Sequence, residues 1–265
     1  MDADWREIKV ALGDFKTSFS MQSCGGRDQV VRAAVNGGWL AYEPPMPVLI
    51  ARHAQVRRSV FIDIGANTGF YSLLAASCGA SRVFSFEPVP DIRSIFSGNV
   101  QRSGLKDVIH ISPEALGERP GSFELYLPDA GHGLIETSAS LNKNFRKVHS
   151  AKINVQVNTI DEFFKSVSLD HGDTILIKID VESLESAVVM GGQKFISDFL
   201  PNITVELLPN CDTRLVNFLL DLGYLHFEMK GSNLNFTSHI NLSLEHRDHF
   251  FIHKNNLDEF RSRHS

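Results

Sequence analysis

The sequence predicts an α/β fold: a mostly parallel, twisted sheet with helices on both faces, an antiparallel strand on its C-terminal side and a small N-terminal cap. Three observations carry that expectation. From residue 60 onward, short apolar runs alternate with segments of helical length, the pattern of strands joined by crossover helices. Val60–Ile64 runs straight into a glycine turn followed by an apolar helical segment. Thr174–Ile179 is almost wholly apolar, as a strand covered on both faces must be.

The elements follow in order. Residues 1–58 are punctuated by Gly25-Gly26, Gly37-Gly38, Pro44, Pro45 and Pro47, which suits a small cap or subdomain ahead of one domain over 59–265. Val60–Ile64, Arg82–Phe86 and Val108–Ser112 read as strands, with helices over Phe70–Ser77 and Pro90–Ser103 between them. Ser122–Leu127 and Lys152–Val157 read as strands around a polar loop carrying Gly131, His132 and Gly133, placed to lie over the site. His132 there is read as a solvated turn residue in preference to a mobile acid or base. Thr159 is set to cap a short helix through Phe164, with Glu162 three residues on as its capping-box partner. Thr174–Ile179 is a strand, Leu184–Met190 a helix broken by Gly191-Gly192, and Ile203–Leu208 a further strand. Phe218–Leu222 reads as helix ended by Gly223, and Tyr224–Met229 with His249–His253 as an antiparallel pair.

With 265 residues, 43% of them hydrophobic, the chain can bury a full core, and one domain with an appendage fits better than two equal ones. A net charge of -5 gives no reason to expect nucleic acid as partner. The basic clusters Arg52–Arg58 and Arg261–Arg263 are short, and read as solvated surface before they read as a greeting for an anion. Cys24, Cys78 and Cys211 are spaced for neither a disulfide framework nor zinc, so the expected compartment is reduced and cytoplasmic. No apolar run has the length to cross a bilayer, so no membrane partner is expected.

The glycine turn carries the functional reading. Gly65 and Gly69 allow a sharp turn and close backbone approach to a ligand. Asn67 stands where a dinucleotide fingerprint needs its middle glycine, and Asp63 at the strand's end would repel a diphosphate but favour a sulfonium or ammonium. Glu87 ends the next strand 22 residues after Gly65, near the spacing of about 20 at which a carboxylate takes ribose hydroxyls, and Pro88 stops the strand. S-adenosylmethionine is therefore the expected cofactor. An NAD-dependent oxidoreductase and a non-catalytic nucleoside-binding module remain as alternatives.

Several blocks in order resemble the FkbM family of S-adenosylmethionine-dependent methyltransferases over roughly residues 37–208. They are Asn36-Gly37-Gly38-Trp39 with Tyr42-Glu43-Pro44, then Phe61 to Tyr71, Phe86-Glu87-Pro88, Ala115-Leu116-Gly117, Asn158-Thr159-Ile160-Asp161 and Ile177 to Glu182. The resemblance implies a Rossmann-like class I methyltransferase fold and O-methylation of a small-molecule hydroxyl, as on a sugar or natural-product intermediate. It also implies a cofactor set of Asp63, Gly65, Ala66, Asn67, Gly69, Phe70, Tyr71, Glu87, Pro88, Glu114, Ala115 and Asp180. Ser183 departs from the family's glycine in the run Asp180-Val181-Glu182-Ser183-Leu184-Glu185, which points to an altered turn.

A hydroxyl nucleophile benefits from a base worth about 10²–10⁴-fold. Asp180, ending a buried strand, is the first candidate, with holding the methionine ammonium or capping the next helix as its alternative role. Glu182 and Glu185, three apart, would share a face toward the same crevice if the helix has begun, and Glu206 adds a further carboxylate. No histidine accompanies these acids at metal-ligand spacing, so no metal is expected. His226, His246, His249 and His253 likewise show no metal-ligand spacing along the chain.

Overall fold

The computed structural model describes residues 4–128, 140–141, 149–209, 211–231, 233–243 and 247–264. The polar loop around Gly131, His132 and Gly133, and His246, lie outside the described residues. The chain begins with an antiparallel hairpin, β1 (Trp5–Leu12) and β2 (Phe15–Gln22), then α1 (Gln29–Gly37) and α2 (Met46–Ala54). Next come β3 (Ser59–Ile64), α3 (Phe70–Ser77), β4 (Arg82–Phe86), α4 (Pro90–Ser103) and β5 (Ile109–Ser112). A small second sheet follows from β6 (Ala115–Leu116), β7 (Gly121–Pro128) and β8 (His149–Asn158). The chain continues through α5 (Ile160–Phe164), β9 (Thr174–Ile179), α6 (Glu185–Met190), α7 (Gln193–Phe199) and β10 (Asn202–Glu206). It ends with α8 (Arg214–Asp221), β11 (Tyr224–Lys230), β12 (Asn233–Phe236), β13 (Asp248–His253) and α9 (Leu257–His264).

The central sheet has the order β12-β11-β13-β10-β9-β3-β4-β5. From β10 to β5 every pairing is parallel, and β13 runs antiparallel to both β10 and β11. Both faces are covered. Phe61 of β3 and Leu176 of β9 pack with Leu74 and Phe96 from α3 and α4, while Ile62 and Ile177, one residue on, pack with Ile160, Val188 and Ile196 from α5, α6 and α7. This alternation leaves all of β3 buried, and makes the architecture the Rossmann-like α/β fold with a closing antiparallel strand. The first 58 residues contribute Ile8, Phe19, Val31 and Leu49 to the same cluster as Leu74 and Phe96. Among the described residues no helix is long and apolar enough to cross a membrane.

Three local differences have physical causes. Helix α8 starts four residues ahead of the expected Phe218, because the Asp212 carboxylate accepts the Arg214 N–H at 3.0 Å and Ser186 Oγ takes that of Leu215 at 3.1 Å. Helix α6 starts at Glu185, so Glu182 lies in the turn before it and the three-residue helical spacing between the two acids does not apply. The hairpin β1–β2 has no counterpart in the expected elements: its Phe15-Lys16-Thr17-Ser18 half is mostly exposed and lacks an apolar run.

Candidate functional site

A cavity of about 420 Å³ opens at the carboxyl ends of β3, β4, β9 and β10, the edge at which parallel α/β sheets hold ligands. The turn from β3 into α3 forms one side. Gly65 and Ala66 donate their N–H groups to the Phe86 carbonyl at 3.1 and 3.0 Å, so the turn is stitched to the neighbouring strand. Glu87 then receives the Asn67 N–H at 2.9 Å on one oxygen and the Val89 N–H at 2.8 Å on the other. Two amides thus fix its carboxylate on the cavity wall, with lone pairs remaining for a ligand hydroxyl. Burial pushes Glu87 up to about 7 despite those amides.

The opposite wall is acidic. It carries Asp180 and Glu182 after β9, Glu206 at the end of β10 and Glu43 from the segment before α2. Lys178 lies among them, its Nζ 3.0 Å from Asp180 Oδ2 and 5.1 Å from the centre of the Tyr71 ring. Tyr71 in turn donates its hydroxyl to Glu43 Oε2 at 2.8 Å. Burial opposes the charge on Lys178, but Asp180, Asp63 and Glu43 outweigh it and hold the ammonium above its ordinary range. Glu206 pairs with Arg247 at 3.0 Å, yet burial, and after it the charge of Asp180, raises it to about 8. Glu43 is raised to about 7, by burial first, with Lys178 opposing and Asp180 adding.

Gly65, Ala66, Asn67, Phe70, Tyr71, Glu87, Pro88, Ala115, Asp180, Glu182 and Glu206 are brought together on this one cavity. Asp63, Gly69 and Glu114 are not on its wall. Asp63 is 1% exposed beneath the turn, accepting the Ser72 hydroxyl at 2.6 Å on Oδ2, while its Oδ1 has no hydrogen-bond partner among the described residues. Gly69 has φ of 92°, and a Cβ there would lie 2.0 Å from the Phe96 ring. Glu114 turns to the Asn158 amide at 3.2 Å. Glu185, read as facing the crevice, instead folds onto its own turn and accepts the Ser183 N–H at 3.0 Å. That turn holds Glu182 at φ 54° and Ser183 at φ 76°, so serine here takes a left-handed conformation that glycine would adopt freely.

Sequence reasoning missed Lys178, Glu43 and Arg247 as site residues. A lysine inside an otherwise apolar buried strand was the available signal, because a buried ammonium needs partners. His226 and His249, not paired by their spacing along the chain, meet across β11 and β13 with nitrogens 2.9 Å apart, away from the cavity lining. Among the described residues no group of three or more His, Cys, Asp or Glu is placed to hold a metal ion.

The chemistry of this lining suits a nucleoside bearing positive charge. Around the turn stand Asp28 and Glu87, and the two cations of the lining, Lys178 and Arg247, are paired with Asp180 and Glu206, so the residues present fit S-adenosylmethionine. The fold is the Rossmann-like one of class I methyltransferases, with this cavity at the carboxyl ends of its parallel strands.

The sequence pattern of the Methyltransferase FkbM domain matches residues 63–226, and the chain belongs to that family. Similar to it is "Methyltransferase 1" of Beauveria bassiana, 25% identical over 173 residues that cover 59% of this chain and 66% of the relative. Among solved structures, Methyltransferase FkbM from Methylobacillus flagellatus is 17% identical with a TM-score of 0.49, covering 79% of this chain but 48% of its own. The O-methyltransferase TomG from Streptomyces achromogenes, solved with S-adenosylmethionine, is 9% identical with a TM-score of 0.44, covering 85% and 88%. The chain thus spans about half the length of that first structure and just under two thirds of the curated relative.

Proposed function

We propose that this protein transfers the methyl group of S-adenosylmethionine to a hydroxyl of a small molecule such as a sugar or natural-product intermediate. The observation that carries the reading is a single cavity with the glycine turn and Glu87 on one side and Asp180, Glu182 and Glu206 on the other. Glu87, oriented by two backbone amides, accepts the ribose hydroxyls. When bound, the cofactor supplies an electrophilic methyl on a sulfonium. The wall residues hold the acceptor in line with it, a positioning effect worth up to about 7–11 kcal/mol. Glu206 takes the hydroxyl proton, since its proton affinity, raised to about 8, lies where a base serves best. Asp180, braced by Lys178, orients acceptor or methionine moiety, and Glu182 lines the cavity beside it. Residues 1–58 act as a cap, because Asp28, Gln29, Val30, Tyr42 and Glu43 complete the wall.

Calorimetry tests the cofactor half. S-adenosylhomocysteine should bind and NAD should not, and Glu87→Ala should weaken binding by about 1–3 kcal/mol for two lost hydrogen bonds. Tight NAD binding without a response to S-adenosylhomocysteine would sink the assignment. An acceptor screen by cofactor release tests the rest: with an acceptor in hand, Glu206→Gln should lower kcat about 10²–10⁴-fold and leave S-adenosylhomocysteine affinity nearly unchanged.

A further inference from the structure

One register of the central sheet is polar. Ser85 of β4, Asp63 of β3, Lys178 of β9 and Thr204 of β10 are neighbours across it, on the face that α3 covers and close to the strand ends that open on the cavity. All four are buried, none more than 4% exposed. Two residues back, the same face carries Val83, Phe61 and Leu176, the apolar composition usual in a sheet covered on both sides.

Stability is a poor reason for an acid and a lysine in that row. Burying an ion pair strips water from both charges, and apolar residues of like volume often serve the fold as well or better. The contacts of the pair lead instead to the cavity. On the buried side, Asp63 accepts the Ser72 hydroxyl at 2.6 Å with one oxygen, while the other has no hydrogen-bond partner among the described residues. Burial raises the Asp63 carboxyl, and the charge of Lys178 is the largest influence against it. On the cavity side, Lys178 Nζ donates to Asp180 Oδ2 at 3.0 Å and lies 5.1 Å from the centre of the Tyr71 ring, whose hydroxyl donates to Glu43 at 2.8 Å. Lys178, Asp180, Tyr71 and Glu43 line the cavity and Asp63 does not. One ammonium thus stands between a carboxylate off the wall and two on it.

On the reading that this cavity holds S-adenosylmethionine, we propose that Asp63 and Lys178 are a positioning pair: Asp63 anchors the ammonium beneath the site, and the ammonium fixes Asp180 directly and Glu43 by way of Tyr71, so that both carboxylates meet the positive charge of the cofactor. The pair then favours S-adenosylmethionine over S-adenosylhomocysteine, because the product has lost the sulfonium with its methyl group. Charge alone acts the other way. Removing a cation from beside a cationic ligand strengthens its binding, whereas carboxylates that have lost their aim weaken it.

The test is calorimetry of both ligands on the full chain, read as the ratio of their affinities. Partial unfolding does not move that ratio, since both ligands bind the folded state. Asp63→Asn combined with Lys178→Met leaves the net charge of the pair unchanged and should lower the preference for S-adenosylmethionine at least about tenfold, with an unchanged circular dichroism spectrum as the folding control. Lys178→Met alone should lower it too, and Lys178→Arg, which keeps the charge, should recover part of the loss. Thr204→Val, in the same row but outside the pair, should leave the ratio within about threefold of the parent. A folded double variant with the parent's ratio overturns the proposal, and so does a ratio that rises in Lys178→Met. An equal fall in Thr204→Val overturns it as well, by assigning the effect to the row as a whole. Should the double variant not fold, Asp63→Asn alone decides: it keeps the shape of a residue off the wall, and an unaltered ratio there refutes the anchor. A parent chain that binds neither ligand strikes the methyltransferase reading itself, a failure distinct from all of these.

Discussion

Gly69 shows how one residue can be needed for a reason other than the ligand beside it. Its φ of 92° is open to glycine at little cost and to other residues at about 1–2 kcal/mol, and the space a Cβ would fill is already taken by Phe96, 2.0 Å away. Gly65 is similar, since its Cβ would lie 1.9 Å from the Asp180 carbonyl oxygen. The turn was legible as a turn, but the sequence reading aimed both glycines at the cofactor, and a sequence does not display which neighbour stands behind a missing side chain. Gly69→Ala should therefore lower the melting temperature by several degrees while the folded protein keeps its S-adenosylhomocysteine affinity within about threefold, because its overlap and strain together cost on the order of 2 kcal/mol or more. Calorimetry and thermal melts on the same sample check this, and a lost affinity at unchanged stability would return Gly69 to the ligand. Lys178 and Glu43 were hidden for a related reason: they lie 135 positions apart in the chain, and nothing in either local segment announces that Tyr71 will join them.

At the scale of elements, helix α5 shows how much a short segment depends on its first residue. Five residues are too few to hold a helix by propensity alone. Thr159 accepts the Glu162 N–H at 3.1 Å, Asn158 Oδ1 accepts the Thr159 N–H at 2.8 Å, and Ile160 and Phe164 bury the other side. Thr159→Ala should cost about 1 kcal/mol, within the 0.5–2 range of such caps, and Thr159→Ser much less; denaturant melts with unchanged slope measure both. This cap, the starts of α3 and α4, and the strands β4 and β9 were readable because each is declared locally, by a glycine, a proline or a run of apolar residues. The hairpin β1–β2 and strand β12 were not. Their side chains are half exposed, and what fixes them is remote: Asn99 of α4 accepts the Gln22 N–H at 2.8 Å and donates to the Thr68 carbonyl at 2.8 Å, tying the hairpin to the turn between β3 and α3 through one amide. The pairing of His226 with His249 is equally remote, set by the register that places His226 against Phe251 and Glu228 against His249.

The molecule as a whole stores acid. Glu43, Glu87 and Glu185 are each raised to about 7 and Glu206 to about 8, in every case by burial first. The folded state therefore binds protons more tightly than the unfolded chain, whose glutamates release theirs near pH 4.5. The stability this confers is fully present below that pH and is lost as the pH rises through 7 to 8. His226 and His253 act in the opposite sense: burial lowers both below 6.5, so their contribution is full above that pH and is lost as the pH falls through their folded values. From pH 6.5 to 8.5 the carboxyl groups act almost alone, and the ligand-free protein should melt at progressively lower temperature across that window. Each proton that the folded state still holds after the unfolded chain has lost its own costs about 1.4 kcal/mol per pH unit, or about 2–4 °C in a chain of this size, so the decline is steepest near pH 6.5 and levels off as the folded state gives its protons up above pH 8. Glu43→Gln with Glu206→Gln should flatten the slope, since an amide has no proton to lose. Saturating S-adenosylmethionine should flatten it too, because its positive charge favours the ionised acids that apo folding penalises. Scanning calorimetry from pH 6.5 to 8.5 on the parent, the double variant and the cofactor-bound protein decides the matter. A melting temperature that rises with pH, or a slope indifferent to both the substitutions and the cofactor, would show that these acids ionise without strain and that the cavity is not a reserve of negative charge waiting for a cation.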